Sequence, residues 1–215
     1  MPAESKTSDS LVLSYLLLRK AIGVLGIALP FLVAIGKAAL ESPGLLSSIS
    51  SYYYSVMGDV FVGCLCATGV FMWSYRGYEL KDVIAAQIAA YCAVGIALFP
   101  TSPGADATAQ QIFIGYAHII FAIIFFSTLI YFALVLFRKT NPNVPPTPEK
   151  LMRNRVYTVC GYTMLAALIL IALVLFFVPD NSSLLALNPV FWLEAVLLEA
   201  FGISWLVKGE AILKA

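Results

Sequence analysis

Six long apolar stretches cross this 215-residue chain, and its basic side chains gather in alternate gaps between them. A helix that crosses a bilayer needs about 20 mostly apolar residues. Stretches of that kind fall at roughly 21–40, 56–75, 83–100, 110–137, 156–178 and 189–207. Backbone groups in hydrocarbon must bond internally, so such stretches become helices. The sequence therefore predicts an all-α, polytopic membrane protein: a single domain over 1–215 with six transmembrane helices. At 61% hydrophobic and 12% charged, the composition excludes an ordinary soluble domain. No A-x-A-like site follows the first stretch, so it is expected to stay as a span rather than to be cleaved as a signal.

Short cytoplasmic loops retain Lys and Arg. Lys6, Arg19 and Lys20 precede the first stretch, and Arg76 and Lys81 separate the second from the third. Arg138, Lys139, Lys150, Arg153 and Arg155 separate the fourth from the fifth, and Lys208 and Lys214 follow the sixth. Of 13 basic residues, only Lys37 stands on the other side. This division predicts that both termini are cytoplasmic in a cell membrane, with a bacterial inner membrane favoured. Residues 8–18 either form a separate interfacial helix or lengthen the first span, and the separate helix is preferred because Arg19 and Lys20 would be costly inside a span. Segment 138–155 is Pro-rich and basic, and is expected to run extended along the membrane surface. There its charges attract anionic headgroups by about 1 kcal/mol each. Membrane lipid is the expected partner, and nucleic acid is not. Gly23 and Gly26 form a small-residue face that would suit association of copies into a homo-oligomer.

Ionisable residues inside spans usually face the bundle interior or a wet cavity. Four qualify: Asp59, His118, Glu194 and Glu199. Their spans all begin at the outer face, which puts the four roughly 5–15 Å below it at 1.5 Å per residue. Asp59 shares a stripe with Gly63, Cys66 and Ala67, and His118 shares one with Gln111, Gly115 and Ala122. Glu194 and Glu199 are five apart and point in different directions, with Glu199 on the better interior stripe beside Gly202. The expectation is an outward-facing polar pocket rimmed by Tyr52, Tyr53, Tyr54 and Tyr116. Such a pocket could bind or transport a small ligand or a cation. A buried hydrogen-bond network that only fixes helix packing stands beside it.

Enzyme readings have less to rest on. No G-x-S-x-G, H-E-x-x-H, P-loop or dinucleotide pattern is present. A Ser–His–Asp set can be assembled from His118, Asp59 and one of Ser48, Ser50 or Ser51, which keeps an intramembrane hydrolase or transferase acting on lipid as the alternative. A structural or partner-binding membrane protein is the third reading. With one histidine in the chain, no metal site is expected, and no cofactor is indicated. Cys64, Cys66, Cys92 and Cys160 all lie in apolar stretches and give no disulfide framework. The ends WSYRGYE (from Trp73) and WLVKGE (from Trp205) echo each other, as inner membrane boundaries tend to do.

The segment SISSYYYSVMGDVFVG, the ALFPTSP that closes the third stretch and His118 in the fourth resemble a set of six-span bacterial membrane proteins of unknown function. These are distantly similar to the damage-regulated autophagy modulator group. The resemblance implies six helices and a membrane location, and carries over no catalytic residue. It sets the chain apart from alkaline ceramidase and adiponectin-receptor hydrolases, which need three zinc-binding histidines.

Overall fold

The computed structural model describes residues 2–104, 106–140 and 143–214, with backbone alone for 2–14. Six main helices follow one another: α1 (Pro2–Leu40), α2 (Gly58–Ser74), α3 (Leu80–Leu98), α4 (Ala109–Tyr131), α5 (Pro148–Phe177) and α6 (Pro189–Lys208). Short 3₁₀ turns at Ser50–Tyr54 and Ser183–Leu187 lie in the connections, and no strand occurs among the described residues. Each helix packs on its neighbours in the chain, and α6 closes back on α1. The result is a ring of six.

Five helices are long and apolar enough to cross a membrane: Tyr15–Leu40, Leu80–Leu98, Ala109–Leu136, Pro148–Phe177 and Pro189–Lys208. The sixth, α2, is a shorter apolar helix of 17 residues. At 1.5 Å per residue it is about 26 Å long, near the lower limit for a hydrocarbon core of about 30 Å. The outside of the ring is apolar, with Phe113, Phe176 and Phe177 exposed. Such a surface would aggregate in water and is at home in lipid.

Two expectations are corrected. Residues 8–18 do not form a separate helix but are part of the unbroken α1. Pro30 sits inside it without ending it. Segment 138–155 is not extended throughout, because α5 begins at Pro148. Thr147 accepts a hydrogen bond from the Lys150 N–H at 3.2 Å, Pro148 supplies the fixed φ of a first turn, and the Glu149 carboxylate complements the positive end of the helix dipole. Asn141 and Pro142 of the same segment lie outside the described residues.

The two ends of the ring differ. One carries α1's last turn and the connections 41–57, 99–108 and 178–188. Its one cation, Lys37, is buried, and its Nζ donates to the Ser42 carbonyl and hydroxyl, each at 3.0 Å, and to the Gly44 carbonyl at 3.4 Å. Lys37 thus folds the loop over α1's C-terminal carbonyls, where a cation also meets the negative end of the dipole. The other end holds the other described basic side chains, above an aromatic plug. Trp205 is fully buried there, with ring centroids of Tyr75 and Phe137 each 5.2 Å away and Phe132 at 5.4 Å. Trp73, its echo in the sequence, is 44% exposed.

After Tyr131, α4 widens into one π turn over Phe132–Leu136, closed by a hydrogen bond of 2.9 Å from the Phe137 N–H to the Phe132 carbonyl. In an α-helix, residues five apart diverge by about 140°. Here Phe132 and Phe137 are both buried, with centroids 5.5 Å apart.

Candidate functional site

The site at the first end is built on the loop between α1 and α2. Its 3₁₀ turn starts at Ile49 and Ser50, and two interior side chains reach those residues from opposite parts of the ring. From α6, Glu194 Oε2 accepts the Ile49 N–H at 2.5 Å and also faces the Ser50 N–H. From α4, His118 is buried and bonds on both ring nitrogens. Its Nδ1 is 2.7 Å from the Phe99 carbonyl, and its Nε2 is 3.0 Å from Ser50 Oγ. A carbonyl only accepts, so Nδ1 carries the proton. In the neutral ring Nε2 is then the acceptor and the Ser50 hydroxyl donates to it.

Local sequence explains how the loop is held. Ile49 is buried. Tyr52 is fully buried, its ring 6.1 Å from that of Phe191, and its hydroxyl accepts the Leu46 N–H at 3.3 Å. Tyr54 donates to the Thr101 carbonyl at 2.7 Å, and the Phe191 N–H donates to the Ser47 carbonyl at 3.0 Å. Burial raises the Tyr52 hydroxyl above the ordinary tyrosine range, so it stays protonated. Below the turn lies a cavity of about 40 Å³ in the middle of the ring. Ser50 and Glu194 are the polar side chains of a lining that is otherwise apolar, with Leu29, Phe61, Ile96 and Phe125 among it.

The other expected residues are placed differently. Asp59 is exposed in the first turn of α2, where a carboxylate favours the helix dipole. On the stripe it shares, Gly63 has open space where a side chain would stand and Cys66 is half-buried, while α2 buries Phe61, Leu65, Thr68, Gly69 and Met72. Glu199 is half-buried, and its Oε1 has no hydrogen-bond partner. Tyr53 is half-buried with its ring edge-on to Tyr54 at 5.1 Å, and Tyr116 is 62% exposed on α4. None of these four lines the cavity.

The partners that were not foreseen are the Ile49 N–H, the Phe99 carbonyl and the choice of Ser50 among the loop serines. Two are backbone groups, which leave no mark in a residue pattern. Among the described residues no three His, Cys, Asp or Glu side chains gather as a metal-binding group. The helices and their apolar exterior define the class of an integral membrane protein. No family model, no curated protein and no solved structure matches the chain.

Proposed function

We infer that the chain crosses the membrane six times, α2 included, with both termini and the basic end in the cytoplasm, and that it takes up a small cation at Glu194 in the outer half. Twelve of 13 basic residues at one end support the orientation. The observation that carries the site is the placing of Glu194 and Ser50 on a cavity of about 40 Å³ closed above by the loop they hold. One water needs about 10–15 Å³ of such space, so the cavity takes a few water-sized groups and suits sodium, ammonium or hydronium rather than a larger solute. The loop over it is the path in, tied by bonds that a passing ion can exchange.

Orientation is checked with an impermeant maleimide on intact cells. Asp106→Cys, in an exposed position of the outer connection, is expected to be labelled, and Thr140→Cys, exposed at the basic end, is not. The reverse pattern would place the basic end outside.

A second reading rests on the Ser50–His118 pair. A serine hydroxyl 3.0 Å from an imidazole, whose other nitrogen is held by the Phe99 carbonyl, has the parts of an activated nucleophile. In that reading Ser50 Oγ attacks a lipid ester carbonyl. Its proton passes to Nε2 and on to the departing alcohol, and water then releases the acid and frees the serine.

One pair of variants separates the two. For a cation site, sodium or ammonium at constant ionic strength raises the melting temperature of the detergent-solubilised protein over choline. A hundredfold excess over Kd contributes about 2.7 kcal/mol. Glu194→Gln keeps an acceptor for Ile49 but is expected to lose that gain, while Ser50→Ala keeps it. For a hydrolase, a fluorophosphonate labels the wild type and Glu194→Gln, and Ser50→Ala is unlabelled. Melting that is equal in all three salts removes the cation site.

A further inference from the structure

The basic end contains a larger cavity, of about 630 Å³, away from the site described above. Five cations line it: Arg19 from α1, Lys139 from the connection after α4, Lys150 and Arg153 from α5, and Lys208 from α6. Against them stand Glu79 and Glu210 in the lining, with Asp82 behind Lys139. Two positive charges are left in excess.

The carboxylates are unevenly spent. Lys139 takes two of them, 3.1 Å from Glu79 and 3.5 Å from Asp82. The pull of this pair outweighs the burial that opposes it and raises the Lys139 ammonium above its usual range. Arg153 is 3.9 Å from Glu210. Among the described residues, Arg19, Lys150 and Lys208 pair with no carboxylate. Arg19 instead donates to the Lys208 carbonyl at 3.4 Å, and Lys150 donates to the Phe137 carbonyl at 3.0 Å. The Lys208 ammonium stands over the rings of Tyr78 and Phe137 at 5.2 and 5.3 Å. Arg19 Nε and Arg153 Nε are buried with no acceptor.

Like charges gathered in a partly desolvated space repel, and buried guanidinium donors without acceptors are costly. An anion with several oxygens answers both. We propose that this cavity binds a phosphate monoester, whose charge approaches −2 near neutral pH and whose oxygens accept from guanidinium groups in a bidentate manner. Four parts of the chain supply the donors, so the site is specific to the folded ring and not to the loop alone. A phosphatidic acid headgroup and a soluble phosphate ester share this chemistry.

The test uses the full chain in a neutral detergent at fixed ionic strength, with melting temperature as the readout. Inorganic phosphate and a short-chain phosphatidic acid are titrated separately, with chloride and phosphatidylcholine as references. At least one of the two phosphate compounds is expected to stabilise the protein. Stabilisation by the lipid alone assigns the site to a headgroup, and stabilisation by inorganic phosphate assigns it to soluble esters. The double variant Arg19→Gln/Lys208→Gln is expected to raise the apparent Kd at least tenfold. Lys150→Gln, whose ammonium holds only a backbone carbonyl, is the second variant and is expected to raise it about threefold. Lys81→Gln, exposed and outside the lining, is expected to change it less than twofold. No stabilisation by either compound, unchanged binding in the double variant, or an equal loss in Lys81→Gln would overturn the proposal.

Discussion

Gly202→Val is expected to leave little folded protein in the membrane, with a loss of more than about 3 kcal/mol in those molecules that fold, at or above the usual range for overpacking. A Cβ on Gly202 would stand 2.6 Å from the Gly23 carbonyl, 2.5 Å from Ile27 Cγ1 and 3.0 Å from the Ile27 N–H. One on Gly23 would stand 2.8 Å from the Gly202 carbonyl and 2.9 Å from the Leu206 N–H. The obstacles are largely backbone, so no side chain can turn aside and α1 must part from α6. Close approach of this kind is what small residues give a membrane helix pair, since apolar burial drives association little in lipid. Gly63 is the control. Nothing lies within 4 Å of a Cβ built there. Gly63→Ala is expected to be neutral or to stabilise α2 by up to about 1 kcal/mol through helix propensity. Reversible unfolding in mixed micelles reads both, and equal effects at the two glycines would remove the explanation.

Trp205→Ala is expected to cost about 3 kcal/mol in the same assay. Trp205 is fully buried, in ring contact with Tyr75, Phe132, Phe137 and Phe201. Soluble cores lose about 3–5 kcal/mol on such a change. The lower end applies here because the unfolded chain in lipid remains in apolar surroundings, so the cost is mostly the cavity and the lost ring contacts. Trp205→Phe should cost about 1 kcal/mol, since the indole N–H has no acceptor and its removal strands nothing. A loss below about 1 kcal/mol for Trp205→Ala would show that the plug does not hold the ring together.

Hydropathy made the helices legible because hydrocarbon leaves an apolar stretch no other way to satisfy its backbone. The predicted 189–207 and the observed Pro189–Lys208 nearly coincide. Hydropathy failed where polar residues continue a helix beyond the apolar stretch. Residues 148–155 are helical although charged, and Thr147-Pro148-Glu149 already carried the start signals. At the site, the burial of His118 and Glu194 could be read from the cost of leaving them in lipid. Their partners could not, since Ile49 and Ser50 lie on a loop whose fold depends on Tyr52 and Phe191. The small residues beside Asp59 looked like a packing face, yet α2 packs through Phe61, Leu65 and Met72. Gly23 and Gly26, which suited association between copies, meet α6 of their own chain.

The wide turn at Phe132–Leu136 has a bearing on how this molecule tolerates change in length. Loss of one residue there would let the helix continue with ordinary spacing and bring Phe132 and Phe137 to four apart, about 40° from each other on one face. Phe137 would keep its place against the indole, and Lys139 its place beside Glu79 and Asp82. The turn therefore works as a spare link: the half of α4 that carries His118 and the cationic rim beyond the turn keep their bearings whether that one residue is present or not.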